Sequence, residues 1–249
     1  GYQSLAYKAP EAGSYALSDL GPAADALLIE STGSKVRLKT LIQDKITLIS
    51  FIYASCNEVN GCPLATSVLQ RTQQAIKVYP ELSGRVRILT VSFDPAHDTP
   101  KVMARYAQPF IKAHGDWHFL TVPSTQAVSD LLSAYQQSIT PERDANGKPR
   151  GSISHLLRVI LVGPDLRIRN TYTPSVLHPD LLVADLRTLA GEGASQKPDS
   201  TGMDESLQGP KLRPGDDKSH YEQSNYQTQS AALTQRKGCL LYTSDAADD

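Results

Sequence analysis

One segment of the sequence, Ile46–Tyr53, is almost continuously apolar and rich in β-branched residues. A strand with one solvent-exposed face would alternate apolar and polar residues, so this run predicts a central strand that is covered on both faces. From Tyr15 to Thr188, further short β-rich runs alternate with amphipathic helical stretches. This alternation predicts an α/β fold in which helices pack against a central sheet.

Turn residues and helix-capping residues predict the remaining elements. Two short strands joined by residues 31–34 form an N-terminal hairpin, because Gly33 can adopt the positive φ of a tight turn. Pro63 and Pro100 suit the first position of a helix, and Ser124 suits the cap of another. Residues 139–151 are predicted to be a polar loop. The predicted strands outside the central one are 26–30, 35–38, 86–93, 117–122, 156–162 and 166–172, and the last helix spans 179–190 and ends at Gly191.

The composition excludes two classes of function. The chain has 249 residues, of which 40% are hydrophobic and 20% charged, and its formal net charge is −1. This charge balance offers no basic surface for phosphate backbones, so we exclude nucleic acid as a partner. The longest apolar runs are far shorter than the roughly 20 residues that a transmembrane helix needs.

The chain is predicted to have four parts. Residues 1–13 form an N-terminal arm, 14–191 form the folded domain, and 192–238 form a polar, largely disordered linker that is poor in large apolar residues. Residues 239–249 resemble the translation of a transposase sequencing adapter, so we exclude them from the fold. Because the first residue is glycine, we expect natural sequence upstream, including any signal peptide or membrane anchor.

Two cysteines lie close together in the loop that follows the central strand. Five residues separate Cys56 from Cys62, and Pro63 marks the start of a helix. Backbone N–H groups and the dipole at a helix start favour thiolate over thiol, and the thiolate is both the nucleophile and the soft metal ligand. The pair therefore suits metal binding or redox chemistry, and two inert core cysteines are the alternative.

The sequence resembles the SCO/SenC family over about residues 12–189. The resemblance rests on Phe51-Ile-Tyr-Ala-Ser-Cys56, on Cys62-Pro63, on VSFDPAHDTP at 91–100, and on His155 followed by VILVGPD at 159–165. Members of this family are thioredoxin-like copper proteins of respiratory-oxidase assembly. The resemblance implies a thioredoxin-like fold, with a central mixed β-sheet flanked by helices and extended here by the N-terminal hairpin.

The resemblance also implies one bound copper ion, as Cu(I) or Cu(II), held by Cys56, Cys62 and His155. In the metal-free state it implies that the two cysteines are a redox-active pair that can form a disulfide. Two thiolates and one imidazole suit copper by their softness, whereas structural zinc sites usually have four protein ligands. The family usually has three residues between the cysteines, so the five found here leave metal affinity, reduction potential and partner surface open.

By this resemblance, the function is that of a copper-binding accessory protein. It would act as a metallochaperone or thiol reductant in the assembly of a respiratory metalloprotein, such as a cytochrome oxidase copper site, rather than as a turnover enzyme. The alternative is a thiol–disulfide oxidoreductase that uses Cys56 and Cys62 without metal. Such enzymes place a cis-proline before the facing strand, and the segment SISH at 152–155 contains no proline. The Pro-x-x-x-Thr-x-x-Cys approach of peroxiredoxins is absent before Cys56.

The expected partners are a client metalloprotein, such as an oxidase copper subunit, and a thiol–disulfide reductant. The expected compartment is the bacterial periplasm, with a missing N-terminal segment as a tether to the inner membrane. The polar linker also resembles a tether between a SCO-like domain and a C-terminal cytochrome c peroxidase-like domain. We expect such a domain only if the natural gene continues past Gly238, and the sequence has no Cys-x-x-Cys-His haem motif.

Overall fold

A seven-stranded mixed sheet lies at the centre of the computed structural model, which describes residues 4–111 and 115–195. The strands are β1 (Leu27–Glu30), β2 (Lys35–Arg37), β3 (Ile46–Ile52), β4 (Val86–Ser92), β5 (Trp117–Thr121), β6 (Ile139–Arg143), β7 (Pro149–His155), β8 (Val159–Val162) and β9 (Ile168–Tyr172). The helices are α1 (Leu38–Ile42), α2 (Cys62–Ile76), α3 (Pro100–Ile111), α4 (Thr125–Ala134) and α5 (Pro179–Ser195). The sheet order is β2-β1-β5-β4-β3-β8-β9, and β6 pairs with β7 separately.

Strand β3 is the central strand that its apolar sequence predicts. All seven of its residues are buried, as expected for a strand covered on both faces. It pairs in parallel with β4 and antiparallel with β8, which confirms a mixed sheet. Because Ile52 lies opposite Ser92 in the parallel register, both strands end at the same edge of the sheet. The loops that follow them therefore meet there.

The predicted N-terminal hairpin is confirmed. Strands β1 and β2 pair antiparallel, and Gly33 in the turn between them has a φ of +93°, a backbone conformation that favours glycine. Strand β1 also pairs antiparallel with β5, so the hairpin extends the sheet at one edge. The short helix α1, which directly follows β2, has no counterpart among the predicted elements.

Helices α2, α3 and α4 begin where the sequence predicts. Pro63 lies in the first turn of α2, and α3 begins at Pro100. At the start of α4, the Ser124 hydroxyl accepts a hydrogen bond from the backbone N–H of Ala127, which satisfies one of the unpaired donors of a helix end. The apolar side of each helix is buried against the common core.

The prediction of a loop at 139–151 is wrong, because these residues contribute to an antiparallel hairpin. Ile139 lies opposite His155 and Thr140 opposite Ser154 across β6 and β7. Both strands are mostly polar, so they lack the apolar alternation by which a strand is recognised. The Asp144 carboxylate accepts hydrogen bonds from two backbone N–H groups in the connecting turn. Tertiary pairing, not local periodicity, makes this segment extended.

Two predicted boundaries also differ. The predicted strand 156–162 begins too early, because β8 begins only at Val159 and residues 156–158 connect it to β7, which ends at His155. The predicted helix end at Gly191 is wrong, since α5 continues to Ser195. Glycine is a weak helix former but not an obligatory stop, and Gly191 has no positive φ.

The predicted ends of the chain are described only in part. Gly13, at the end of the predicted arm, donates its backbone N–H to the hydroxyl of Thr188 on α5 at 2.9 Å. Most of the predicted linker, residues 196–238, and the adapter-like segment 239–249 lie outside the described residues. Of the helices described, none combines the length and the hydropathy needed to cross a membrane.

Candidate metal centre

The start of α2 carries the first of the three predicted ligands. Cys62 is the first residue of this helix, Gly61 is its N-cap, and Pro63 follows in the first turn. The Cys62 side chain is 1% exposed, since the helix packs against the sheet. The sequence prediction that Cys62 lies at a helix N-terminus is thus confirmed.

The loop from β3 to α2 brings Cys56 back toward the start of the helix. The backbone N–H of Cys56 donates to the carbonyl of Tyr53 at 3.1 Å, and the N–H of Gly61 donates to Glu58 at 2.9 Å. A Cβ atom added to Gly61 would lie only 3.3 Å from Cys56 Sγ. The five-residue spacer therefore curls, and the missing side chain of Gly61 lets the Cys56 sulfur lie against the residue before Cys62.

His155 lies opposite the cysteine loop, at the end of β7. Its Nε2 atom is 3.7 Å from Cys62 Sγ, although 93 residues separate them in the sequence. The imidazole packs against the rings of Phe93 and Tyr53, with centroids 5.0 and 6.0 Å away. The structure thus brings His155 and Cys62 together.

Burial controls the protonation of these groups in the metal-free protein. Burial, assisted by the neighbouring Cys56, raises the pKa of the Cys62 thiol. Burial also lowers the pKa of His155, which favours the neutral imidazole, the form that can act as a ligand. In the metal-free state, desolvation therefore opposes the Cys62 thiolate that the helix start favours.

Tyr53 is a site residue that sequence reasoning missed. Its hydroxyl accepts a hydrogen bond from the backbone N–H of Ile153 at 3.4 Å. Burial raises the pKa of Tyr53 to about 12, and the neighbouring Cys56 contributes to this rise. In the sequence, Tyr53 ends the apolar run that predicts the buried strand. No neighbouring residue distinguishes its hydroxyl from that of an ordinary core tyrosine.

Asp98 forms a hydrogen bond to the start of the cysteine loop. Its carboxylate accepts hydrogen bonds from Ser92 Oγ at 2.5 Å and from the Ala54 N–H at 2.8 Å, so it does not cap helix α3. Burial raises the pKa of Asp98. The Thr99 hydroxyl instead accepts from the Val102 N–H in the first turn of α3. Asp98 thereby holds the loop at the point where it leaves the sheet.

An open groove of about 470 Å³ lies beside Cys56. It runs between α2 and α3, with Pro63 and Thr66 on one side and Tyr106 and Phe110 on the other. Cys56 is half-buried and Cys62 is fully buried. An incoming thiol or metal ligand can therefore approach the site from the Cys56 side.

The donor set fits copper, but its three members are not yet arranged around one point. Over residues 4–111 and 115–195, no group of three or more histidine, cysteine, aspartate or glutamate side chains is positioned to hold a metal ion. Cys62 and His155 form the contact pair, and Cys56 lies nearby in the loop. Two thiolates and one imidazole are soft and borderline ligands of the kind that Cu(I) prefers.

The fold and this cysteine loop define a thioredoxin-like α/β protein with two thiols and an imidazole at the start of its first long helix. A model of the SCO1/SenC family matches residues 24–191. The chain belongs to the SCO1/SenC family. A curated relative, the SCO1 protein homolog of Bacillus subtilis (strain 168), is 26% identical over 159 residues, which cover 63% of this chain and 76% of the relative.

Solved structures of Sco proteins share this fold. Arabidopsis thaliana ScoI with copper bound superposes with a TM-score of 0.58 at 20% identity, covering 69% of this chain and 99% of ScoI. A second similar structure is that of BsSco, a member of the Sco family of cytochrome c oxidase assembly proteins in which a disulfide switch is identified. It superposes with a TM-score of 0.57 at 24% identity, and the match covers 71% of this chain and 98% of BsSco. These likenesses confirm the thioredoxin-like fold.

Proposed function

We propose that this protein binds one copper ion through Cys56, Cys62 and His155 and passes copper, or reducing equivalents, to a client metalloprotein such as a cytochrome oxidase copper subunit. The observation that carries the proposal is the 3.7 Å contact between Cys62 Sγ and His155 Nε2. This contact joins two of the three expected ligands from distant parts of the chain. Membership in the SCO1/SenC family, and copper in a relative of the same fold, support it.

Copper binding requires Cys56 to join a pair that already exists. The Cys62 thiol and the neutral imidazole are held by α2 and β7, whereas Cys56 lies in a partly exposed loop. When bound, Cu(I) displaces the thiol protons, because thiolates are its ligands. A ligand on a loop beside an open groove can be exchanged for one from a client, and such exchange is what transfer of a metal ion needs.

An anaerobic titration of the reduced protein with Cu(I) against a chromogenic competitor tests this proposal. We expect one tightly bound copper per chain. We also expect Cys56→Ser, Cys62→Ser and His155→Ala to weaken binding by at least about tenfold each, because each removes one donor. His178→Ala is the matched control, since His178 is a buried histidine at the start of α5 and should leave binding unchanged.

Two results would overturn the proposal. Absence of tight copper binding in the reduced wild type would exclude a copper site. Tight binding that is unaffected by His155→Ala would indicate capture of copper by the two thiols alone and would remove His155 from the site.

A thiol–disulfide oxidoreductase is the second candidate, and the unequal exposure of the two cysteines favours it. In such an enzyme the accessible Cys56 would attack a substrate disulfide and the buried Cys62 would resolve the mixed disulfide. Disulfide exchange in metal-free protein, at a rate that copper does not change, would support this function over copper handling.

The partners and the compartment follow from the proposed chemistry. A site that alternates between dithiol and disulfide needs a thiol reductant as a second partner, and such pairs suit an oxidising compartment. We therefore propose the bacterial periplasm as the compartment, with an upstream segment as a tether to the inner membrane. The natural gene sequence on either side of these residues tests for such a tether and for a C-terminal peroxidase-like domain.

A further inference from the structure

The groove beside Cys56 runs between helices α2 and α3. Strands β3, β4 and β5 are parallel, so the two helices that connect them run side by side in the same direction. A hydrogen bond of 2.8 Å between Thr66 Oγ1 and the Tyr106 hydroxyl joins the helices. Besides Cys56, the residues that line this α2–α3 groove are Pro63, Thr66, Ser67 and Gln70 on α2 and Arg105, Tyr106, Pro109 and Phe110 on α3.

The shape of the α2–α3 groove suits an extended polypeptide segment. Cys56 lies at one end, because its sulfur lies against Gly61, the N-cap of α2. From Pro63 to Gln70 the helix rises about 10 Å, which matches about three residues of extended chain. Small-molecule pockets enclose most of the surface of their ligand, whereas this groove is open to solvent.

The two walls offer different contacts to such a segment. On α3, Tyr106 and Phe110 form an apolar wall, and Phe110 packs against Trp117 with ring centroids 5.2 Å apart. On α2, Ser67 and Gln70 are half-buried, and their side chains form no hydrogen bond with any other residue that the structure describes. A hydroxyl and an amide can both donate to and accept from a peptide backbone.

Pro109 leaves a backbone acceptor on the α3 wall. Proline has no N–H, so Pro109 cannot make the helical hydrogen bond to the carbonyl of Arg105, four residues earlier. Residues four apart lie on the same face of a helix, and both of these residues line the α2–α3 groove. The Arg105 carbonyl is therefore available to an N–H group of a segment that lies in the groove.

The side chain of Arg105 gives the groove a positive charge. It is exposed and is the one arginine, lysine, aspartate or glutamate among the described residues that line the groove. It forms no ion pair with any residue in the described part of the chain. A guanidinium binds a carboxylate through two parallel hydrogen bonds, so the groove favours an acidic segment over a basic one.

We propose that the α2–α3 groove binds an extended, acidic segment of the client protein that presents a cysteine to Cys56. A carboxylate of the segment pairs with Arg105, an apolar side chain packs against Phe110, and its backbone bonds to the α2 wall. The inference rests on the proposed function, because it names the partner segment with which Cys56 exchanges copper or electrons. A client sulfur held in the groove meets the half-buried Cys56 and does not need to reach the buried Cys62.

The experiment uses reduced, metal-free protein and disulfide-linked dimers of two peptides, Ac-LECEL-NH2 and Ac-LKCKL-NH2, whose sequences read the same in both directions. Cys56 attacks one peptide sulfur and releases the first peptide thiolate, and Cys62 then attacks the Cys56 sulfur and releases the second. The protein gains one S–S bond, the peptide disulfide becomes two thiols, and the two protons of the protein thiols pass to the released peptides. Rates measured at low salt are divided by the rate of each peptide with dithiothreitol, which corrects for their different reactivity.

We expect wild type to reduce the acidic peptide about fivefold faster than the basic one, as the upper range of exposed ion pairs allows. Arg105→Gln should remove this preference and keep the wild-type Cu(I) affinity, since Arg105 lies outside the proposed copper site. Phe110→Ala should slow both peptides, because each loses an apolar contact. Lys101→Gln is the matched control: Lys101 is an exposed cation one turn earlier on α3 and is not among the groove residues, so the preference should remain.

The outcomes separate this inference from the proposed function. Equal rates for the two peptides in wild type, no reaction with either, a preference that survives Arg105→Gln, or equal losses in Arg105→Gln and Lys101→Gln would each overturn the docking site. A solution dimer that Arg105→Gln or Phe110→Ala dissociates, as measured by sedimentation, would assign the groove to a second copy and also overturn it. If wild type binds no copper but keeps the preference that depends on Arg105, the copper function fails and the groove stands as the docking site of a disulfide partner.

Discussion

Asp98 shows how one buried side chain holds a functional loop. The carboxylate is 2% exposed and is the acceptor for the Ser92 hydroxyl and the Ala54 N–H. Its removal leaves buried donors without a partner, which costs about 1–3 kcal/mol per group. The loop that carries Cys56 would also lose its attachment to the end of β4.

We therefore expect Asp98→Ala to lower the free energy of unfolding by about 2–3 kcal/mol, measured by urea denaturation at neutral pH. Asp94→Ala is the control in the same turn. Its carboxylate pairs with His97, which is 79% exposed, and exposed pairs of this kind contribute less than about 1 kcal/mol. Equal losses in the two variants would contradict the role assigned to Asp98.

At the scale of elements, the last helix tests how far local signals determine a boundary. Gly191 would end α5 if it adopted a left-handed conformation, but the helix continues to Ser195 and Gly191 has no positive φ. A Cβ atom added there would meet nothing within 4 Å. Alanine is the better helix former at such a position, because glycine loses more backbone entropy on folding.

We expect Gly191→Ala to raise the free energy of unfolding by about 0.5–1 kcal/mol, as measured by urea denaturation. Gly33→Ala is a control with the opposite expected sign. The φ of Gly33 is +93°, which is strained for alanine, so we expect the free energy of unfolding to fall by about 1 kcal/mol. A destabilised Gly191→Ala variant would show that α5 ends where the sequence predicts.

For the whole molecule, paired carboxylates determine the response to acid. Burial alone would raise the pKa of Asp116, but Arg87 at 2.9 Å and His118 together lower it below 3.8. The pKa of Asp25 is also lowered: burial would raise it, but hydrogen bonds from the Lys39 N–H and from Arg37 outweigh this effect. A carboxylate whose folded pKa is below its unfolded pKa stabilises the protein above the unfolded value.

This stabilisation is complete from about one pH unit above the ordinary aspartate pKa of 3.8 upward, and it is lost as the pH falls from there through the folded pKa values. Asp98 acts in the opposite direction, because its folded pKa is raised. We expect a net fall in the free energy of unfolding between about pH 5 and about pH 2, measured by urea denaturation. The fall should be smaller in Asp116→Asn, and a rise in stability on acidification would contradict this account.

Much of the fold and part of the candidate site can be read from local sequence. The apolar run of β3, the proline at the start of α2 and the glycine turn of the first hairpin each act over a few residues. The spacing of side chains in strands and helices makes such patterns visible. The resemblance to SCO/SenC proteins adds His155 as the third candidate ligand, which no local pattern identifies.

The sequence alone thus establishes the layered α/β architecture and the pair of thiols at a helix start, because both depend on local periodicity and capping. Tertiary structure decides which distant groups meet those thiols. The polar strands β6 and β7 pair across a turn and bring His155 to Cys62, and Asp98 reaches Ala54 across 44 residues. Such contacts form only when the strands are aligned in the sheet, and no spacing in the chain encodes that alignment.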